Sequence, residues 1–202
     1  MTDSQNRREN VPRLILASGS PRRRSLLAEA GYDFVVEPSP AEELDDPSMD
    51  VVTLTRVNAE LKADGLAAPA GDAVLLAADT LVAIDGEALG KPTDLAAAAK
   101  MIARLNGRTH EVLTGVCLLR PQTGERKSFV VRTAVTFKGL GEAELIAYHD
   151  LIDPLDKAGA YAAQEHGEKI IASVDGSWTN VVGLPMDETR AALQSFGIEP
   201  KT

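Results

Sequence analysis

The sequence predicts an α/β protein, because short apolar runs of strand length alternate with longer segments of helical periodicity. The first apolar run, residues 14–17, leads through a Ser-Gly-Ser turn into a helix that begins at Pro21. A second run, residues 73–78, has the length and the apolar content of a buried strand. Two β-rich segments, 110–119 and 127–137, flank a Pro-Gln-Thr-Gly turn and are expected to pair antiparallel. These observations indicate a sheet with helices packed against it.

The remaining elements follow from the spacing of apolar residues and from the turn residues between them. The first helix ends at Gly31, which suits a left-handed cap. Asp85-Gly86 predicts a tight hairpin turn, and Thr93 or Asp94 is the expected N-cap of a helix that ends before Asn106-Gly107. Further helices are expected over residues 51–66, 95–105, 142–149 and 185–196. Further strands are expected over residues 32–37, 81–84, 87–89 and 169–174.

The composition limits the classes of partner. The 202 residues include 30 acidic and 21 basic side chains, which gives a formal net charge of −9. An acidic protein is a poor generic binder of nucleic acid or of an anionic membrane. No segment approaches the length of a transmembrane helix, and the N-terminus lacks the apolar core of a signal peptide. The single cysteine, Cys117, is expected to pack in the core. We therefore expect a cytoplasmic protein with a flexible tail over residues 1–11.

Three arginines, Arg22, Arg23 and Arg24, lie in the first turn of the first helix. A helix N-terminus already favours anions, because its unpaired N–H groups and its dipole are positive. Cations at this end therefore indicate that an anion binds there, and arginine forks match phosphate oxygens. Ser20 is the expected N-cap. The alternative is that the arginines form a solvated helix face. The sequence contains neither Gly-x4-Gly-Lys-Ser/Thr nor Gly-x-Gly-x-x-Gly.

Acidic residues supply a second candidate group. Asp79 directly follows the buried run 73–78, at the position where open α/β sheets place their chemistry. Glu42 and Glu43 lie in an acidic loop over residues 41–50. Asp79 with Glu42 or Glu43 suits a hard cation such as Mg²⁺ or Mn²⁺, which is often shared with substrate phosphates. Because such a cation activates water, the residues favour attack of water on phosphorus. A solvated turn is the alternative for most of the loop acids.

Lysines and one loop of small residues complete the candidate groups. Lys62, Lys91 and Lys157 could hold the rest of a polyphosphate, although most lysines are simply exposed. The loop over residues 155–164 carries Lys157, Tyr161 and Gln164. This loop either wraps a planar ligand or crosses between two elements, and the residues do not decide between these alternatives.

Six motifs resemble those of Maf-like proteins in order and spacing, over about residues 12–198. They are Ser-Gly-Ser-Pro-Arg-Arg from Ser18, Ala-Asp-Thr from Ala78, Gly-Lys-Pro from Gly90, Thr-Gly-Val from Thr114, Asp-Lys-Ala-Gly-Ala-Tyr from Asp156 and Val-Val-Gly-Leu-Pro from Val181. Each motif is short, but six in register are specific. The resemblance implies a single α/β domain over residues 12–198 with the inosine-triphosphatase-like fold. In that fold a mixed sheet with flanking helices forms two lobes around a central nucleotide-binding cleft.

The resemblance also implies an activity and the residues that perform it. Maf-like proteins are metal-dependent nucleoside triphosphate pyrophosphatases, in which water attacks the α-phosphorus and pyrophosphate is released. By position, Asp79 resembles the proton acceptor and a ligand of Mg²⁺ or Mn²⁺. Glu43 resembles a further metal ligand, and Lys91 belongs to the catalytic set. The residues that match phosphate contacts are Ser18, Ser20, Arg22, Arg23, Lys62 and Lys91.

The substrate that the resemblance implies is an ordinary or modified pyrimidine nucleotide. The run Asp-Lys-Ala-Gly-Ala-Tyr-x-x-Gln is similar to that of the dTTP/UTP branch, and Arg22, Thr80 and Gln164 match the positions associated with base choice. The amide of Gln164 can both donate to and accept from a uracil or thymine edge. The alternatives are a preference for 7-methyl-GTP or purines, and a nucleotide-binding regulator of septum formation and cell division. The resemblance to the family also implies a homodimer.

Overall fold

The computed structural model describes residues 12–66, 69 and 71–201, so the expected tail over residues 1–11 lies outside the described residues. The strands are β1 (Arg13–Leu16), β2 (Phe34–Val36), β3 (Ala73–Ile84), β4 (Glu87–Leu89), β5 (Thr109–Arg120), β6 (Glu125–Phe137) and β7 (Ile171–Asp175). The helices are α1 (Pro21–Glu29), α2 (Val51–Asp64), α3 (Leu95–Leu105), α4 (Glu142–His149), α5 (Trp178–Val182) and α6 (Met186–Ser195). Within the described ranges, seven strands form one mixed sheet in the order β2-β1-β3-β5-β6-β7, and β4 pairs with β3. The predicted α/β class is confirmed.

The central strand β3 differs from its prediction. The sequence suggests separate strands over residues 73–78 and 81–84, but they form one strand of 12 residues. Asp79 therefore lies inside the strand rather than at its end. The reason is the partner strand: β5 pairs antiparallel with β3 from Leu75 to Ala83, so the ladder continues through the polar pair Asp79-Thr80.

In the part of the chain that the structure describes, the opposite edge of β3 is unpaired around Asp79. β1 pairs parallel with β3 only as far as Leu76, and β4 begins to pair at Val82. Between these points, no strand of the described residues pairs with this edge of β3. Asp79 therefore lies just beyond the carboxyl end of β1, which is the kind of position where open sheets bind ligands.

Helices pack against both faces of the sheet at its β1 end. Alternate residues of a strand point to opposite faces, and the core follows this rule. Leu14, Leu16, Val74 and Leu76 pack with the apolar residues of α1 and α6. Ile15, Leu75, Ala77 and Cys117 pack with Ala59 and Ala63 of α2 on the other face. Cys117 is a buried free thiol, as predicted, and burial raises its pKa.

A separate apolar cluster fills the other end of the sheet. It joins the second half of β3, the start of β5 and the end of β6 to helices α3 and α4. Its buried members include Val82, Ile84, Ile102, Leu105, Val112, Phe137, Tyr148 and Tyr161. The chain thus packs two regions around a shared sheet, which agrees with the expected arrangement of two lobes.

The helices confirm some of the capping predictions and correct others. Asp94 is the N-cap of α3 and accepts from the Ala97 amide at 2.7 Å. Gly31 follows α1 in the left-handed region at φ +82°. Ser20 stands at the N-cap position of α1, but its side chain makes no cap hydrogen bond. Helix α5 was not expected, because its sequence is short and bounded by glycines.

The apolar spacing of α2 is only a partial guide to its buried side. Of the five apolar residues that the sequence places partly on one side, Leu54 and Ala63 are buried, whereas Val52, Val57 and Leu61 are half-buried. The buried residues are Leu54, Thr55, Asn58, Ala59 and Ala63. Apart from Leu54, these buried residues are small or polar, and one of them, Asn58, lies 3.4 Å from Asp79 Oδ2. None of the helices in the described part of the chain is both long and apolar enough to cross a membrane.

Candidate active site

A cleft of about 480 Å³ opens beside the uncovered edge of β3. The turn between β1 and α1, the acidic loop, the middle of β3 and residues 156–165 all contribute to its walls. The predicted site residues that line it are Ser18, Ser20, Arg22, Arg23, Glu43, Lys62, Asp79, Thr80, Lys91, Lys157 and Gln164. Arg24 and Glu42 are exposed and do not line it. The structure thus brings the cationic turn and the acidic residues to one cleft.

Helix α2 holds both oxygens of the Asp79 carboxylate, which is only 4% exposed. Lys62 Nζ donates to Asp79 Oδ1 at 2.8 Å. Asn58 Nδ2 lies 3.4 Å from Asp79 Oδ2. Asn58 and Lys62 are four residues apart and so lie on one face of the helix. The helix therefore defines the orientation of the carboxylate in the cleft.

Glu43 reaches the same ammonium group from the acidic loop. Lys62 Nζ lies 2.6 Å from Glu43 Oε1, so one lysine joins the two carboxylates. Burial raises the pKa of the Glu43 carboxyl, but the hydrogen bond from Lys62 and the surrounding positive charges outweigh it, and the pKa falls below its usual value. Lys62 was predicted to contact phosphate. Its nearest partners in the structure are Glu43, Asp79 and, at 3.4 Å, the Ala78 carbonyl.

Arg23 is a buried arginine that ties three segments together. Its Nε donates to the Gly183 carbonyl at 2.9 Å, and its two terminal nitrogens donate to Ser18 Oγ and Thr80 Oγ1 at 3.0 Å. Burial lowers the pKa of its guanidinium, and the nearby charge of Asp79 opposes that effect. The side chain still lines the cleft. Arg23 therefore supplies a fixed positive charge rather than a mobile contact.

Thr80 lines the cleft and belongs to a chain of hydrogen bonds that runs from Arg23 through Thr114 to the Asn180 carbonyl. Thr114 Oγ1 donates to the Asn180 carbonyl at 3.1 Å, so the hydrogen between the two threonines, 3.0 Å apart, comes from Thr80. Thr80 also accepts from Arg23. Because its single proton is already donated, Thr80 can act toward a ligand only as an acceptor or through Arg23.

The loop over residues 155–164 forms part of the cleft wall and approaches the cationic turn. Arg22 approaches Asp156 of this loop at 3.8 Å. Lys157 is buried, and its Nζ donates to Asp156 Oδ1 at 2.7 Å and to the Asp153 carbonyl at 3.0 Å. The loop thus lines the cleft, but the ammonium of Lys157 is already satisfied by protein groups.

Tyr161 anchors that loop to the far end of the sheet. Its hydroxyl lies 3.0 Å from His110 Nε2, and the rings of His110, Phe137 and Tyr161 pack edge to face. His110 is 2% exposed, and burial lowers its pKa to about 4. The aromatic cluster therefore sets the position of the loop on the cleft side.

Two further candidates, Lys91 and Gln164, also line the cleft. Within the part of the chain that the structure describes, no hydrogen bond or ion pair engages Lys91 Nζ or the amide of Gln164. Both side chains are exposed. Their donors are thus available to a ligand.

The donor set fits a divalent cation held only in part by protein. No group of three or more His, Cys, Asp or Glu residues able to hold a metal is present among the described residues. Glu43 and Asp79 supply two carboxylates that meet at one ammonium. Mg²⁺ commonly binds through one or two carboxylates, together with water and substrate phosphates. These residues therefore fit Mg²⁺ or Mn²⁺ that is completed by a phosphate ligand.

The comparison with family models matches residues 13–196 to the model described as Maf-like protein. The chain belongs to the Maf family. Among its relatives, a protein named dTTP/UTP pyrophosphatase from Moorella thermoacetica is 43% identical over 94% of this chain and 97% of its own length. A protein of the same name from Deinococcus radiodurans is 44% identical over 94% of this chain and 96% of its own length.

The fold of this Maf family member also has a counterpart among solved structures. The Staphylococcus aureus Ham1 protein covers 91% of this chain and 99% of its own, with a TM-score of 0.51 and 17% sequence identity. At that identity the likeness concerns the fold alone. It agrees with the mixed sheet and flanking helices that the motifs imply.

One residue of this Maf family site was missed by sequence reasoning. Asn58 is 2% exposed and contacts both Asp79 and the acidic loop. In the sequence, Asn58 stands out only as a polar residue at a position where Maf-like proteins usually carry an apolar one. That departure does not by itself assign Asn58 to the site.

Proposed function

We propose that this protein is a nucleoside triphosphate pyrophosphatase that acts on dTTP and UTP, ordinary or modified. The observation that carries the proposal is one cleft that holds both a cationic helix N-terminus and the carboxylates of Asp79 and Glu43. A cationic helix N-terminus suits phosphates, and a carboxylate in the same cleft can take a proton from water. The activity printed in the names of the Moorella and Deinococcus relatives agrees with this chemistry.

Arg22 and Lys91 are the proposed contacts for the triphosphate. The only ion pair of Arg22 among the described residues is the 3.8 Å approach to Asp156, which leaves most of its five donors available. Lys91 lines the same cleft, and its ammonium has no partner among the residues that the structure describes. These donors can bind phosphate oxygens without breaking a short protein hydrogen bond. Arg23 adds a fixed charge, and Ser18 and Ser20 line the adjacent turn.

Asp79 is the proposed proton acceptor, and its Oδ2 is the accepting atom. Lys62 occupies Oδ1 at 2.8 Å, whereas the one contact of Oδ2 among the described residues is the long one of 3.4 Å with Asn58. In the proposed step, a water oxygen bonds to the α-phosphorus and gives its proton to Asp79. The bond from that phosphorus to the bridging oxygen breaks, and pyrophosphate leaves with the electron pair. A divalent cation bound by Asp79 and Glu43 would lower the pKa of water and offset the charge that develops on the phosphate.

The proposed base pocket lies along residues 158–164. Val82, Val112 and Tyr161 give this part of the cleft apolar surface, which suits the faces of a planar base. The unengaged amide of Gln164 offers one donor group and one acceptor to its edge. Uracil and thymine present an N–H between two carbonyl oxygens, so Gln164 can pair with either of them. This complementarity supports a pyrimidine substrate.

The test is pyrophosphate release from a panel of nucleotides with Mg²⁺ or Mn²⁺. We expect dTTP and UTP to give values of kcat/KM at least about tenfold above those of purine triphosphates and 7-methyl-GTP, which corresponds to about 1.4 kcal/mol of discrimination. Asp79→Asn removes the proton acceptor and should lower kcat by about 10²–10⁴-fold. Asp45→Asn is the matched control, because Asp45 is an exposed acid of the acidic loop outside the cleft.

The outcomes of the panel separate the alternatives. Background turnover for every nucleotide contradicts the proposal and favours a nucleotide-binding regulator. Efficient turnover of 7-methyl-GTP or purines alone contradicts the pyrimidine preference. Equal activity of Asp79→Asn and the wild type contradicts the role of Asp79.

A further inference from the structure

The acidic loop that carries Glu43 has no regular secondary structure of its own. From Pro38 to Asp46 the described residues form no strand or helix. The side chain of Leu44 is exposed, so burial does not hold this part of the loop. The Ala41 amide bonds within the loop, to Ser39 Oγ at 3.2 Å. Other contacts are therefore needed to keep Glu43 in the cleft.

Asn58 supplies such contacts. Its Oδ1 accepts from the Leu44 amide at 2.7 Å, and its Nδ2 donates to the Leu44 carbonyl at 3.1 Å. In the described part of the chain, these are the backbone hydrogen bonds that join residues 38–45 to the rest of the protein. A paired amide contact of this kind fixes both the position and the direction of the backbone. Leu44 is adjacent to Glu43, so the placement of one sets the placement of the other.

The same amide also approaches the second carboxylate. Asn58 Nδ2 lies 3.4 Å from Asp79 Oδ2, and Asn58 is buried at 2% exposure. The contacts close a ring in which Lys62 joins Glu43 to Asp79, and Asn58 joins Leu44 to Asp79. The distance between the two carboxylates thus depends on two residues that are one turn apart on α2.

We infer that Asn58 is a positioning residue, which clamps the acidic loop to α2 and so sets the separation of Glu43 from Asp79. The inference rests on the proposed function, since it concerns the same pair of carboxylates. Partners that orient metal-binding carboxylates typically change metal affinity or activity by about 10–100-fold when they are removed. Asn58 acts through Glu43 and Asp79, and it need not touch the nucleotide.

The experiment compares Asn58→Leu and Asn58→Asp with Thr55→Val. Asn58→Leu removes all three hydrogen bonds at similar volume, and Asn58→Asp keeps an acceptor for the Leu44 amide but loses the donors. Thr55 is the matched control, because it is a fully buried polar residue of α2 whose hydroxyl donates within the helix, to the Val51 carbonyl at 2.6 Å. Two different changes at Asn58 keep the test usable if one variant folds poorly.

The kinetic result expected is a change in kcat with little change in KM. For both Asn58 variants we expect kcat to fall about 10–100-fold, KM for dTTP to stay within about threefold, and the Mg²⁺ concentration for half-maximal rate to rise. Thr55→Val should lose stability without these changes. The inference is overturned if the Asn58 variants match Thr55→Val in kcat and in Mg²⁺ dependence.

A second measurement needs neither substrate nor turnover. Amide hydrogen exchange at Leu44 should be fastest in Asn58→Leu, because its acceptor is lost, and should stay slow in Thr55→Val. Exchange in β3 should remain slow in all three variants. Unchanged exchange at Leu44 in Asn58→Leu contradicts the clamp even if the protein proves inactive on every nucleotide. Failure of the clamp is thereby separated from failure of the proposed function.

Discussion

The cationic residues of the cleft differ in how many of their donors the protein already uses. Lys62 has three donors and three protein acceptors, Glu43, Asp79 and the Ala78 carbonyl. Arg23 uses three of its five donors on protein oxygens. Lys91 has no such partner among the described residues. Lys62 and Arg23 therefore shape the site, whereas Lys91 is available to bind a phosphate.

Gln164 provides a prediction about the choice of base. Replacing it by Glu keeps an acceptor for the pyrimidine N–H but removes the donor and adds a charge that repels a carbonyl oxygen. We expect kcat/KM for dTTP to fall about 10–100-fold, in line with a lost hydrogen bond and an unpaired acceptor. The ratio of kcat/KM for dTTP to that for a purine triphosphate should fall as well. The added charge affects both nucleotides, so the ratio of their kcat/KM values isolates the effect on the pyrimidine base. An unchanged ratio means that Gln164 does not contact the base.

Strand β3 and helix α2 together build the side of the cleft that holds Asp79. β3 carries Asp79, and α2 carries the two side chains that hold it. The helix lies very close to the sheet at Gly115 of β5. Any side chain at this position would overlap the helix backbone. A Cβ placed there comes within 2.8 Å of the Thr55 carbonyl carbon and 3.1 Å of Arg56 Cα. Gly115 therefore allows the close approach that brings Asn58 and Lys62 to Asp79.

Gly115→Ala tests this packing. The added methyl group must push α2 from the sheet, so we expect the free energy of unfolding to fall by about 1–3 kcal/mol, as for other overpacked sites. Turnover should fall with it, because Asn58 and Lys62 move with the helix. Urea unfolding and pyrophosphate release measure the two effects. Gly139→Ala is the control, since nothing lies within 4 Å of a Cβ at that position, and equal stability of the two variants would refute the close contact.

Two packed regions meet at the cleft. There Arg22 of α1, in the first region, approaches Asp156 of the loop that Tyr161 anchors to the second region, at 3.8 Å. The continuous strands β3 and β5 run through both regions. The expected single domain over residues 12–198 and the expected homodimer stay predictions.

The stability of the whole molecule should depend on the protonation of His110. The pKa of His110 is about 4 in the folded protein because of burial, and about 6.5 in an unfolded chain. Between these values the unfolded state binds the proton that the folded state does not. The free energy of unfolding therefore falls as pH decreases from about 6.5 to 4, by on the order of 3 kcal/mol from this group.

Urea unfolding at several pH values checks this prediction. His110→Gln keeps a polar partner for Tyr161 but does not titrate, and all other groups titrate in both proteins. We expect the wild type to lose more stability than His110→Gln between pH 7 and pH 4.5. If the free energy of unfolding of the two proteins changes with pH in parallel, His110 is not a buried neutral group.

Much of the fold and many of the site residues could be predicted from local features of the sequence. Periodicity, capping residues and turn residues act over a few positions, so they located α1, the start of α3 and the antiparallel pair of β5 and β6. The motifs also pointed to Asp79, Arg22 and Arg23, and the wider family resemblance pointed to Glu43 and Gln164; all five line one cleft. Turns, caps and helical periodicity can be predicted from the sequence because they depend on residues only a few positions apart.

The contacts that define the site depend on residues that are distant in the chain. The Asp79-Thr80 pair resembles the end of a strand until its pairing with β5 is known. Asn58 meets Leu44 across 14 residues and Asp79 across 21, and Arg23 meets Gly183 across 160. No local pattern specifies such partners, because a buried polar group takes whichever hydrogen-bonding group the packed sheet and helices bring to it.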